Sequence, residues 1–128
     1  NDFKIPYELS VLSAHRTPKR LADYASSAKN RGIRVLIAAA GGSAALPGAI
    51  AAWTTLPVIG IPVPSSDLKG IDALLTIAQM PPGVPVACMA VGVWGARNAG
   101  YFAASIISSL DSDVERAYED YKSDLANR

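Results

Sequence analysis

Residues 35–66 read "VLIAAAGGSAALPGAIAAWTTLPVIGIPVPSS", a stretch without one charged side chain. At first sight it fits a membrane span, which needs about 20 consecutive, mainly apolar residues. Pro47, Pro57, Pro62 and Pro64, together with glycines, cut it into shorter pieces. "RVLIAAA" (34–40) and "PVIGIPV" (57–63) then read as two buried strands. The glycine-rich turn "GGSAALPG" (41–48) and a short helix through "AIAAW" connect them. Strands apolar on both faces belong to a parallel sheet covered by helices.

The same pattern extends outward in both directions. Upstream, "YELSVL" (7–12) alternates in polarity and predicts a strand. Thr17 followed by Pro18 predicts a helix start, with a hydroxyl N-cap and a proline whose missing N–H costs nothing. Leu21, Tyr24, Ala25 and Ala28 recur at helical spacing before Gly32 ends that helix. Downstream, Ile71, Leu74, Leu75 and Ala78 mark a helix, "VPVACMAVG" (84–92) a strand, and "ARNAGYFAASIISS" (96–109) a helix. Val114, Ala117, Tyr118, Tyr121 and Leu125 give a final amphipathic helix. Alternating strands and helices predict an α/β domain over residues 1–128.

Composition sets limits. At 128 residues the chain suits one domain, and 50% hydrophobic against 18% charged residues is apolar for a small monomer. Some apolar surface is therefore expected to be buried between subunits. A net charge of +1 argues against nucleic-acid or membrane partners drawn by bulk electrostatics. Cys88 is the lone cysteine, which excludes a disulfide framework or a multi-cysteine metal site and fits a reducing cytosol. "NDFKIPYE" lacks a signal pattern, so a cytoplasmic location is expected.

In parallel sheets, ligands bind where strand C-termini meet the following loops. "SAHRTP" (13–18), "AAGGSAALPG" (39–48) and "PVPSSDLKG" (62–70) all fall at such ends. His15 is the one histidine, and an imidazole there can act as a general acid or base near neutrality. Arg16 can hold a phosphate or carboxylate, beside a helix start that favours anions, and Ser13 adds a hydroxyl. The spacing leaves a second reading open, a turn histidine bonded to backbone with Arg16 in solvent. Gly41 and Gly42 would let a ligand approach the backbone, though the loop alone reads as a tight connection. It lacks a phosphate-loop lysine and does not fit G-x-G-x-x-G. Ser65, Ser66, Asp67 and Lys69 could reach a substrate, but Ser66 or Asp67 could equally cap the next helix, and capping is the favoured reading. Cys88 is expected to be a buried small hydrophobe, Trp53 and Trp94 packing or interface residues. The small residues Ala96, Ala99, Gly100, Ala103 and Ala104 predict close helix packing.

Taken together, "SAHRTP", "AAGGSAALPG", "TTLPVIGIPV", "LLTIAQMPPGVPVA" and "NAGYFAA" closely resemble the PurE family of purine biosynthesis, in order and spacing, over nearly the whole chain. The "GGSAALPG" and "QMPPGVPVA" versions are similar to the bacterial type, carboxyaminoimidazole ribonucleotide mutase, more than to the animal type that carboxylates directly with carbon dioxide. The resemblance implies a flavodoxin-like three-layer α/β/α sandwich with a C-terminal helix, assembled as a homo-octamer with shared sites, without metal or organic cofactor. It implies an imidazole ribonucleotide substrate whose carboxylate moves from exocyclic nitrogen to ring carbon, with carbon dioxide as a trapped intermediate. It also implies handover from the ATP-dependent carboxyaminoimidazole ribonucleotide synthetase. His15 matches the proton-transferring position. Ser13, Ala14 and Arg16 would hold the ribonucleotide, and Gly41, Gly42, Ser43, Ala44 and Leu46 would lie near the imidazole and carbon dioxide.

Two departures accompany the match. Ala45 stands where relatives commonly have histidine, and the family's opening Gly-Ser-x-Ser-Asp loop has no counterpart. Residues 1–6 correspond by resemblance to the end of the first helix, so the sequence is expected to be an incomplete record lacking about 30–40 residues, the size of a βα unit. Two alternatives stay open: a direct aminoimidazole ribonucleotide carboxylase, and, suggested by the departures, a non-catalytic phosphoribosyl-ligand-binding relative. A signalling receiver ranks last because no acidic phosphoacceptor cluster is visible at the strand ends.

Overall fold

The computed structural model describes residues 2–128. The first helix, α1 (Pro18–Ala28), starts on its proline and buries Leu21, Ala25 and Ala28 along one stripe. After a short 3-10 turn, Gly32 takes φ +89° and its N–H bonds to the Lys29 carbonyl, turning the chain toward the sheet. There follow β1 (Leu36–Gly41), α2 (Leu46–Trp53), β2 (Val58–Val63), α3 (Ile71–Ala78), β3 (Ala87–Cys88), α4 (Val93–Ser108) and α5 (Ser112–Ala126). The Asp111 carboxylate caps α5, accepting from the N–H groups of Asp113 and Val114.

The three strands are parallel in the order β1-β2-β3. Leu36 lies opposite Val58 and Gly41 opposite Val63, while Gly60 lies opposite Cys88. Side-chain alternation divides the core between the two sheet faces. Leu36, Ala38 and Val58 pack with Leu21, Ala25, Ala28 and Ile50, beneath α1 and α2. Gly60 points to the same side, where a Cβ would run into Ile77 and come within 3.1 Å of Val86, so α3 also seats closely here. Ile59 and Ile61 face the other way and pack on Ala99 and Ala103 of α4. With α5 packed on α4, the result is a three-layer α/β/α arrangement. The buried small residues of α4 are what allow that close approach, as their pattern predicted; Ala96 and Gly100 lie on its exposed side.

Phe3 is set edge-on among Tyr101, Tyr118 and Tyr121, with ring centroids 5.6–6.0 Å away, so the N-terminal segment is tied to α4 and α5. No helix among the described residues is long and apolar enough to cross a membrane.

Two predicted features differ. Among the described residues, 7–12 form no strand and join no sheet. Their alternation is real, yet Tyr7, Leu9 and Val11 stand 79–89% exposed because no layer covers that face. The strand expected over 84–92 is regular only at Ala87–Cys88. Beyond it, the Gly60 and Pro62 carbonyls accept single bonds from Met89 and Gly92, and Pro62 has no amide hydrogen to return on that side. Trp53 and Trp94, expected as packing or interface residues, are largely exposed in the single chain.

Candidate functional site

The loops singled out in the sequence meet at one end of the sheet. α1 with its 3-10 turn and β1 are each about 20 Å long, at about 1.5–2 Å and 3.3 Å per residue. They are joined by a short connection and run in opposite directions, so the start of α1 lies level with the end of β1. Packing agrees, since Ala14 and Leu46 rest on the same apolar cluster.

The turn before α1 is closed by four hydrogen bonds between Ser13 and its followers. Thr17 N–H donates to the Ser13 carbonyl (3.0 Å), and the Thr17 hydroxyl donates to the same oxygen (3.1 Å). The Ser13 N–H donates to Thr17 Oγ1 (3.0 Å), and the Arg16 N–H donates to Ser13 Oγ (3.0 Å). His15 and Arg16 sit at the apex, both exposed. The backbone of the turn is thus held by Ser13 and Thr17 without the imidazole, which leaves both nitrogens of His15 available. Thr17, expected to cap α1, does not: its hydroxyl is committed backward to Ser13. Nothing in the Thr-Pro pair distinguishes these two uses.

The second loop leaves β1 at Gly41. Gly42 takes φ +60°, Ser43 is exposed, and Ala44 is held at φ +44° while only 4% exposed. An L-residue in that region is strained. The Ala44 methyl is kept there by packing against Ala73 and Ile77 of α3. Ala45 offers only a methyl at the helix start.

The third loop closes against the second. A Cβ on Gly41 would overlap the Ser65 hydroxyl and lie 3.0 Å from Ser65 Cβ and 3.1 Å from the Val63 carbonyl. Gly41 is therefore glycine because Ser65 stands against it, a contact that the sequence does not announce. Neither Ser66 nor Asp67 caps α3, whose cap position is Gly70. Ser66 instead accepts from the Leu68 N–H and donates to Asp72 (2.6 Å). That hydrogen bond holds the Asp72 carboxyl below the usual carboxylate range, assisted by backbone N–H groups at the start of α3. Asp67 and Lys69 are exposed.

Cys88 is half-buried, and burial pushes its thiol pKa up, which suits a packing residue and not a nucleophile. Two concavities lie away from these loops, one lined by Ser26, Lys29, Trp53 and Thr55, the other by Leu56, Pro57, Val84 and Pro85. The His15 end of the sheet is an open edge in the single chain. Chemically, the loops at this end carry an imidazole, a guanidinium, the hydroxyls of Ser13, Ser43 and Ser65, and a run of glycine and alanine. That set can move a proton and hold an anion.

Comparisons with known proteins place this arrangement. A family model described as AIR carboxylase matches residues 1–128. The chain is 55% identical over 120 residues to N5-carboxyaminoimidazole ribonucleotide mutase of Aliivibrio fischeri, covering 94% of this chain and 74% of that protein. It is 54% identical to the mutase of Bacillus subtilis with the same coverage. A phosphoribosylaminoimidazole carboxylase of Schizosaccharomyces pombe is 49% identical over 125 residues, which make up 22% of that longer protein. Among solved structures, Treponema denticola PurE superposes with a TM-score of 0.83 at 27% identity, over 98% of this chain and 77% of that one. Matched along its whole length by the family model and sharing the three-layer fold of a solved relative, the chain belongs to the AIR carboxylase family.

Proposed function

We propose that this chain is an N5-carboxyaminoimidazole ribonucleotide mutase of purine biosynthesis. The observation that carries the reading is its identity of more than half, over 94% of its length, to mutases from two distant bacteria. The chemistry of the loops is consistent with it. The C–N bond of the carbamate breaks, carbon dioxide is released within the site, and the departing nitrogen takes a proton from His15. The ring carbon then attacks the trapped carbon dioxide, a C–C bond forms, and the proton lost from that carbon returns to His15. One imidazole thereby serves both half-reactions.

Arg16 holds the ribonucleotide phosphate through its guanidinium fork, and the Ser13 hydroxyl orients the substrate. Arg16 N–H already bonds to Ser13 Oγ, which leaves the hydroxyl proton free to donate. Gly41, Gly42, Ser43, Ala14, Ala44 and Leu46 form a wall of small or apolar groups that excludes water and retains carbon dioxide. The apolar composition, 50% hydrophobic against 18% charged, supports a homo-octamer of single-domain protomers with sites shared between subunits. On this reading the enzyme is cytoplasmic and takes its substrate from the ATP-dependent synthetase that makes it.

The test is spectroscopic turnover of the carboxyamino substrate without added bicarbonate. Wild-type protein turns over, and His15→Asn loses about 10²–10⁴-fold in rate while still binding the ribonucleotide. Turnover only at high bicarbonate would make the protein a direct carboxylase. Binding without turnover in the wild type would make it a ligand-binding relative.

A further inference from the structure

We propose that Thr17 is a positioning residue for this reaction: its hydroxyl, bonded both ways to the Ser13 backbone, holds the His15–Arg16 turn in its working shape. The inference rests on the mutase reading and adds a residue to it.

The first ground is what the hydroxyl does not do. Thr17 stands at the N-cap of α1, where a threonine side chain ordinarily accepts from the first turn and stabilises the helix by about 1 kcal/mol. Here it makes no such bond. It accepts from the Ser13 N–H and donates to the Ser13 carbonyl. Capping is forgone for closing the turn.

The second ground is how the two backbone groups of Ser13 are satisfied. The Ser13 carbonyl keeps a second donor, the Thr17 N–H, but the Ser13 N–H has only Thr17 Oγ1. Removing that oxygen leaves the Ser13 N–H without its acceptor.

The third ground is how His15 and Arg16 are placed. Both are exposed, so their side chains inherit their position from the backbone beneath them. Thr17 itself is half-buried under the turn and acts through its neighbours. Misplacing a proton-transfer group by about 1 Å costs on the order of a hundredfold in rate.

The experiment compares Thr17→Val, which keeps the shape and removes the hydroxyl, with Thr17→Ser, which keeps the hydroxyl. Turnover without bicarbonate gives kcat and KM, and hydrogen exchange follows the Ser13 amide. Thr17→Val is expected to lower kcat about ten- to hundredfold with KM changed less than about threefold. Its Ser13 amide exchanges faster. Thr17→Ser restores both kcat and slow exchange. If the valine variant does not fold, Thr17→Ala is read by the same measurements. A valine or alanine variant within about twofold of wild-type kcat overturns the proposal, as does a serine variant as impaired as valine or unchanged Ser13 exchange. Wild-type protein without turnover would instead sink the mutase reading itself.

Discussion

Gly41→Ala tests whether the second and third loops are fitted to each other as described. The added methyl meets the Ser65 hydroxyl, Ser65 Cβ at 3.0 Å and the Val63 carbonyl at 3.1 Å. Rotating Ser65 clears only the first of these, because the other two are fixed to the backbone. Overpacking of this kind costs about 1–3 kcal/mol. Against it stands about 0.4–1 kcal/mol gained by restricting the unfolded chain, since Gly41 has no positive φ to forbid alanine. The net expectation is a loss of about 1–2 kcal/mol. Ser65→Gly removes both Ser65 contacts, so the double variant recovers most of that loss, with a coupling energy of about 1 kcal/mol. Urea denaturation of the four proteins at one fixed protomer concentration measures the cycle. Additivity within about 0.5 kcal/mol would refute the contact and with it the account of why residue 41 is glycine.

Two more expectations follow from other parts of the fold. A Cβ on Gly95 would overlap the Ala90 carbonyl, whereas one on Gly100 meets nothing within 4 Å; Gly95→Ala should therefore destabilise, and Gly100→Ala should stabilise the isolated protomer by up to about 1 kcal/mol, and the opposite ranking in thermal melts would contradict the placement of α4. Glu8 accepts from Arg31 and from the Tyr24 hydroxyl, both at 2.9 Å, and the Arg31 bond above all holds its carboxyl below the usual range. A depressed folded-state pKa stabilises above the ordinary glutamate value and ceases to do so as pH falls through the depressed one. The Tm difference between wild type and Glu8→Gln should thus be present at about pH 7 and shrink as the pH falls below the ordinary glutamate value, and a difference that does not shrink in acid would count against the pairing.

How far the sequence carries can be judged from single elements. β2 was legible because a strand buried on both faces needs nothing but apolar residues, and 57–63 supplies them; β1 was legible from the same apolar run, although Ile37 and Ala39 lie exposed. α2 begins at Leu46, earlier than its apolar core suggested, because Pro47 suits a first helical turn. The 7–12 segment misled because alternation reports which side chains would fit a pleated surface and says nothing about a partner strand. Pro62 cut short the pairing with 89–92 by a missing hydrogen on a neighbouring strand, which a reading of 84–92 alone does not contain. In the site, His15 and Arg16 were legible from residue type and from the loop that bears them. Thr17 and Ser65 were not, because their roles depend on which backbone lies opposite, and that is decided by tertiary packing.

The ring of Phe3 between α4 and α5 has a consequence for the other end of its segment. From Phe3, among tyrosines on one side of the sheet, the chain runs to Glu8 and Ala14, which engage α1 and the cluster beneath α1 and α2 on the other. The segment leading into the histidine turn therefore touches both outer layers of the sandwich. Through the backbone of residues 3–14 it ties the last helix of the chain to the loop that carries its one imidazole.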